Sequence, residues 1–386
     1  MKLVFCGESV FLRYNNQFYA SSASWSMALW ERYLSVFNHV QLIVRVEDTN
    51  APNKFLIDSE KVSVIPLPRY QGMVGAIKAS FFLKKYFNPY AISGNAYILR
   101  VPGQIGSTFS RILRSKGIKY AVEVVGDPWD VMECIGGKLS FILKRIGFYQ
   151  LRYVVKHSSV SLYVTQTKLQ SRYPSAKGVE TYGISNVKIN NDFISQFSHK
   201  RPADDQPVKL LSVGSLEQLY KAPDIVVEAL ALLKQKGIPV SMVWLGGGKY
   251  LTEMVAYAKE HNVSEMISFQ GNVDSQRVEQ CLENSDLFIH ISRTEGLPRA
   301  IIEAMAKGLP IIGSNVGGIP ELLTPNAIIP VNSATALADK VVEILYNPKL
   351  YDFLATRNLQ ESRKYEESVL AAKRDLYFKQ VLKISQ

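Results

Sequence analysis

The chain has 386 residues, 47% of them hydrophobic and 20% charged, with a formal charge of +11. That length accommodates two domains with separate cores, no run approaches the ~18 apolar residues of a membrane span, and no charged leader with an apolar core and cleavage site is recognisable, so secretion is not expected. Cys6, Cys134 and Cys281 are isolated and lack metal-ligand spacing, which argues against a disulfide framework and fits a reduced cytoplasm.

In chain order, residues 2–6 read as a short buried strand. A serine-rich loop (Ser21, Ser22, Ser24) leads to a helix over about 25–37 and a strand at 40–46. Further strands are expected at 62–65, 120–125 and 160–164. A polar interval, 191–207, reads as a linker between an N-terminal domain (1–190) and a C-terminal one (208–365). The second domain repeats the alternation, with strands at 209–213, 240–245, 266–269, 287–291 and 310–312. Its helices start near Ala222, Tyr250, Ser275 and Pro298. Residues 366–386 read as a final helix crossing back to the first domain. Strands alternating with helices predict α/β architecture, two doubly wound Rossmann-like domains facing across a cleft. Ligands of such sheets bind outside the carboxyl ends of the strands.

The charge is unevenly divided. Residues 1–200 hold 25 Lys/Arg against 12 Asp/Glu, a net of +13, and the remainder holds 20 against 22. No acid occurs between Glu60 and Glu123, where ten basic residues, among them Lys78, Lys84 and Lys85, interleave with Phe81, Phe82, Tyr86, Phe87 and Tyr90. On a helix over 138–156, Lys138, Arg145, Arg152 and Lys156 would share one stripe. The asymmetry points to an anionic partner for this half, such as a membrane surface or a phosphorylated acceptor. For this segment alone, a core helix with one wet stripe is the plainer reading. No nucleic-acid motif is recognisable.

The most informative stretch is 293–313, RTEGLPRAIIEAMAKGLPIIG. Pro298 suits the first helical position, Gly308 the left-handed residue past the end, and Lys307 the C-terminal dipole, so a helix is expected over 298–307. Glu295 then lies on the entering loop and Glu303 on the helix among apolar residues. The first-turn N–H groups, near Gly296, Leu297, Pro298 and Arg299, offer an anion site between two hydroxyl-reading carboxylates. Together they describe a sugar-nucleotide pocket.

Four other motifs accompany it: SVGSLEQLYKAPD at 212–224, LGGG at 245–248, FQGNV at 269–273 and GSNVGGIPEL at 313–322. In this order the set resembles the retaining glycosyltransferases of family four, which have the two-domain GT-B fold. The resemblance is strong over 209–323 and weak in the N-terminal domain. It implies that Glu295 accepts from donor-sugar hydroxyls, Glu303 from the ribose, and that Lys221 meets the diphosphate. Many relatives carry an arginine where this chain has Ser215, so part of the phosphate clamp is either missing or supplied elsewhere, with Arg293 and Arg299 as candidate stand-ins. Asn272 and Val273 would border the base. The glycines around Gly247 serve either as a tight turn or as a nucleotide-facing loop, while Gly317, Gly318 and Glu321 close the same side. The histidine that relatives place near the reacting carbon is absent from AVEVVGDPWD (121–130). Glu123 and Asp127 are therefore candidates there for acceptor binding or proton handling, beside the plainer reading of a turn.

The resemblance thus implies a retaining transferase moving a sugar from a nucleotide-diphosphate donor to a saccharide or lipid-linked saccharide in bacterial polysaccharide assembly. It would act in the cytoplasm, peripheral to the inner face of the cell membrane. No Asp-x-Asp occurs, so neither metal nor cofactor is expected. A hydrolysing sugar-nucleotide epimerase on the same fold and a non-catalytic partner subunit are the alternatives.

Overall fold

The computed structural model describes residues 1–386 except 52–54, 58–59, 71–74, 76–78, 80–82 and 203–205, and without the side chains of Ala23 and Lys138. Lys78, Phe81 and Phe82 of the acid-free stretch, and 203–205 of the expected linker, lie outside the described residues.

Two compact units emerge. One comprises Met1–Trp129, Lys138–Ile184 and Ala372–Gln386, the other Asp130–Gly137 and Ser185–Ala371. The sequence reading assigns 130–137 to the N-terminal domain. In the structure Gly136 and Gly137, both at positive φ, separate this segment from the helix Lys138–Lys156, and it groups with the second unit.

Among the described residues the first unit holds β1 (Lys2–Tyr14), β2 (Gln17–Ala20), β3 (His39–Asp48), β4 (Val62–Pro68), β5 (Ala96–Val101), β6 (Ala121–Val124), β7 (Val160–Tyr163) and β8 (Glu180–Gly183). Their order is β4-β3-β1-β5-β6-β7-β8, all parallel except β2, which pairs antiparallel with β1. β1 runs well past residue 6 because Asn15 and Asn16, both at positive φ, form a two-residue hairpin turn into β2. Leu3–Cys6 are fully buried, as expected of a parallel strand covered on both faces. Phe5 packs edge-on against Trp30 and Tyr33, and Tyr33 meets Phe378 of the final helix Glu367–Ser385.

The second unit holds β9 (Val208–Val213), β10 (Val240–Leu245), β11 (Ile267–Phe269), β12 (Leu287–His290), β13 (Ile311–Ser314) and β14 (Ile328–Ile329), all parallel, in the order β11-β10-β9-β12-β13-β14. The order reverses between β9 and β12, the position where doubly wound sheets take ligands. The first unit reverses between β1 and β5. There the N-terminus of helix Gln104–Ser115 is already occupied, because Ile105 N–H donates to Glu8 Oε1 at 2.7 Å and Tyr70 O–H to Glu8 Oε2 at 2.6 Å. The chain's own carboxylate thus fills that anion site.

Candidate active site

Two loops leave the reversal point of the second sheet. The loop after β9 ends in a 3₁₀ turn, Leu219–Lys221, followed by Ala222 in the left-handed region (φ 44°, ψ 51°). Such backbone persists in a non-glycine residue only when its surroundings over-determine it, and Arg293 supplies that constraint. Its backbone N–H donates to Tyr220 O at 2.7 Å, and its guanidinium donates to Leu219 O at 2.8 Å. The same guanidinium forks onto Asp224 at 3.0 and 2.5 Å and reaches Asn332 Oδ1 at 2.8 Å. Arg293 is therefore committed to the turn and does not stand in for a phosphate-binding arginine. Lys221 lies along Gly214, where an added Cβ would come within 2.8 Å of the lysine stem.

The loop after β12 carries Glu295. Its Oε1 accepts from Ser292 Oγ at 2.7 Å, from His290 Nε2 at 2.9 Å and from Lys221 Nζ. Among the described residues Oε2 has no hydrogen-bond partner. Burial pushes the carboxyl pKa up, but the Lys221 cation and the His290 hydrogen bond outweigh it and hold the group well below the usual range. His290, fully buried and 3.2 Å from Lys221 Nζ, is pushed down by burial and by that cation, so it is neutral near pH 7. Sequence reasoning missed His290 and Ser292. The available signal was position, since both lie at or just past the end of a strand five or fewer residues before Glu295.

Glu303 sits on the helix Arg299–Ala306, which is one residue shorter at each end than expected, Pro298 being an extended N-cap and Lys307 the C-cap. Lys307 does more than complement a dipole: it is buried, donates to Glu279 at 2.6 Å and Glu283 at 2.8 Å, and lies over the Phe193 ring. The Glu303 carboxyl makes no hydrogen bond or ion pair among the described residues. Burial raises its pKa, opposed by Arg299. Arg299 is exposed and makes no hydrogen bond among them, its charge acting on Glu303 from a distance. Leu297 and Pro298 are buried, leaving backbone as what this turn can offer a ligand. Gly317, at φ 54°, passes so close beneath Glu295 that a Cβ would strike its carbonyl, and Gly318 N–H donates to Gly296 O at 2.7 Å.

A third wall comes from β10 and β11. Gly246 and Gly248 take positive φ and press against residues 214–217, so they serve a tight turn. Gly247 N–H donates to Asn272 Oδ1 at 2.8 Å, while Ser215 Oγ accepts from Glu217 N–H at 3.2 Å. Val273 follows, half-buried. The second unit thus brings Ser215, Lys221, Gly247, Asn272, Glu295 and Glu303 to the carboxyl edge of a single sheet.

Comparison with known proteins agrees with this geometry. Residues 194–360 match the family described as glycosyl transferases group 1. The chain is similar to Protein CapJ of Staphylococcus aureus, 31% identical over 327 residues that cover 82% of this chain and 80% of CapJ. The chain belongs to the glycosyl transferases group 1 family. It is similar over a shorter stretch to a putative colanic acid biosynthesis glycosyltransferase, WcaL of Salmonella typhimurium, at 29% identity over 160 residues, 39% of each chain. Anabaena HepE, solved in complex with UDP-glucose, shares the fold, with a TM-score of 0.65, 14% identity and 98% coverage of both chains. The protein is a glycosyltransferase of GT-B fold.

The two first-unit candidates of this glycosyltransferase, Asp127 and Glu123, lie inside the first unit. Asp127 is buried and accepts from Tyr173 O–H at 2.5 Å, from Trp129 N–H at 2.9 Å and from Arg172. Glu123, also buried, accepts from Tyr33 O–H at 2.7 Å and lies 4.0 Å from Arg100. Both carboxylates are held by internal donors, which fits a structural role in the first unit better than proton handling.

Proposed function

We propose that this glycosyltransferase moves a sugar from a nucleotide-diphosphate donor to the hydroxyl of a saccharide acceptor, with retention at the anomeric carbon and without a metal ion. One observation carries the reading: Glu295 is a buried carboxylate with one oxygen saturated by Lys221, His290 and Ser292 and the other open, at the strand reversal of the second sheet. Held ionised, it cannot donate a proton and acts as an acceptor for donor-sugar hydroxyls. Glu303, unpaired and costly to bury, gains partners when ribose hydroxyls donate to it. Bond cleavage builds negative charge on the leaving diphosphate. Lys221, the exposed Arg299 and the first-turn N–H groups of helix Arg299–Ala306 would meet that charge.

The first unit would hold the acceptor, a lipid-linked saccharide of bacterial surface-polysaccharide assembly, with the enzyme peripheral to the inner face of the membrane. The relative named for colanic acid biosynthesis and the basic excess of residues 1–200 support this. A panel of nucleotide sugars incubated with saccharide acceptors in excess EDTA tests the reaction. Transfer with the donor's anomeric configuration kept, read by NMR, is expected. A strict Mn²⁺ requirement, an inverted product, or nucleotide release at full rate without acceptor would contradict it.

A further inference from the structure

Helix Lys138–Lys156 buries Leu151, Val154 and Val155 near its end, but its outer face is not polar. Leu139, Phe141, Ile142, Ile146 and Tyr149 are each 55–65% exposed. A helix packed on a core turns such residues inward. Arg145, Arg152 and Lys156 are exposed as well; Arg145 lies three residues after Ile142 and four before Tyr149, and Arg152 and Lys156 lie three and seven after Tyr149, which puts cations and apolar side chains on the same side. The basic stripe and the apolar stripe are therefore one surface, not opposite faces.

That surface continues onto helix Gln104–Ser115. A groove of about 700 Å³ is lined by Arg111 of that helix and by Phe141, Arg145, Ile146 and Tyr149. Neither helix contains an acid. Among the described residues Arg111, Arg145, Arg152 and Lys156 have no carboxylate partner. The Arg145 guanidinium lies 3.8 Å over the Phe141 ring, a cation held flat against apolar surface.

We infer that this two-helix face docks on an anionic phospholipid membrane, with the apolar side chains entering the headgroup boundary and the arginines meeting lipid phosphates. Charge complementarity selects this occupant. A second copy of the chain would meet it in a two-fold contact and set acid-free, cationic faces against each other. The inference gives the peripheral placement proposed above a specific surface, and rests on that reading.

The test uses full-length protein and vesicles of phosphatidylcholine with or without phosphatidylglycerol. Wild type should sediment with the anionic vesicles, lose binding as salt rises, and leave pure phosphatidylcholine alone. Arg111→Gln with Arg145→Gln should weaken partitioning by about thirtyfold, from roughly one tenfold step or less per basic residue. Phe141→Ser with Ile146→Ser should weaken it about a hundredfold while preserving the salt slope. Unchanged circular dichroism melts confirm that these exposed variants fold. Sedimentation of both double variants like wild type would overturn the surface and leave peripheral placement standing. No sedimentation of wild type would overturn both. Release by soluble glycerol phosphate would reassign the face to a soluble phosphorylated ligand. A dimer seen by light scattering that only the apolar variant dissolves would reassign it to a second copy.

Discussion

Breaking the Lys221–Glu295 pair should cost stability and activity together, and the two residues should prove coupled. At about 4 Å and an effective dielectric of ~20, opposite charges attract by roughly 4 kcal/mol. Desolvation offsets part of this, since the side chains are only 24% and 11% exposed. A net coupling of about 2 kcal/mol remains. Glu295→Gln strands a largely buried ammonium and should cost about 3 kcal/mol, lowering the second unit's melting temperature by roughly 6–12 °C. Lys221→Met leaves a carboxylate that still has His290 and Ser292 as donors, and should cost about 2 kcal/mol. The double variant should then cost about 3 kcal/mol, about 2 kcal/mol less than the sum of the singles. The pH dependence follows from the depressed Glu295 pKa. The stabilisation is complete above the ordinary carboxylate range and is lost as pH falls below it. Wild type should therefore lose melting temperature faster than Glu295→Gln from about pH 5 downward. Calorimetric melts of the four proteins test this. Additivity within about 0.5 kcal/mol, or parallel acid profiles, would refute the pairing.

Glu303→Gln should stabilise the unliganded protein near pH 7, because burial raises the native carboxyl's pKa and its ionised form costs stability increasingly as pH rises through the carboxylate range. Melts should converge at low pH, while nucleotide affinity falls about ten- to a hundredfold by titration calorimetry. Lys221→Ala should lower kcat about a hundredfold with a smaller change in KM, a split that steady-state kinetics resolves. Arg293→Lys loses the fork onto Asp224 and the brace on the 219–221 turn. It should lower kcat about tenfold through misplacement of Lys221 while nucleotide binding changes little; an equal loss in both would mean that Arg293 touches phosphate.

Local chemistry was legible in the sequence, and long-range pairing was not. Pro298 and Gly308 mark the helix to within a residue at each end, because caps and breakers act locally. The strand alternation likewise marks the parallel sheets, although β5, β8, β14 and the β1–β2 hairpin escaped notice; the hairpin depends on Asn15 and Asn16 adopting positive φ. Arg293 looked like a phosphate ligand because its real partner, Asp224, is 69 residues away. Lys307 read only as a complement to the helix dipole for the same reason, with Glu279 and Glu283 on another helix. His290 went unread because an apolar strand end does not reveal which neighbours it will meet. The pattern of helix Lys138–Lys156 shows charge and apolarity at helical spacing, but only packing decides which side is covered.

Calorimetry on Glu295→Ala and Glu303→Ala, with nucleoside diphosphates and their sugar conjugates of several bases, tests the donor site most directly. Glu303→Ala is expected to weaken free nucleotide and nucleotide sugar alike, since both carry the ribose. Glu295→Ala should leave free nucleotide binding near wild type and remove the added affinity or selectivity that the sugar confers. Equal losses in both variants for both ligands would contradict the assignment of the two carboxylates, and undiminished binding in both would contradict the site itself.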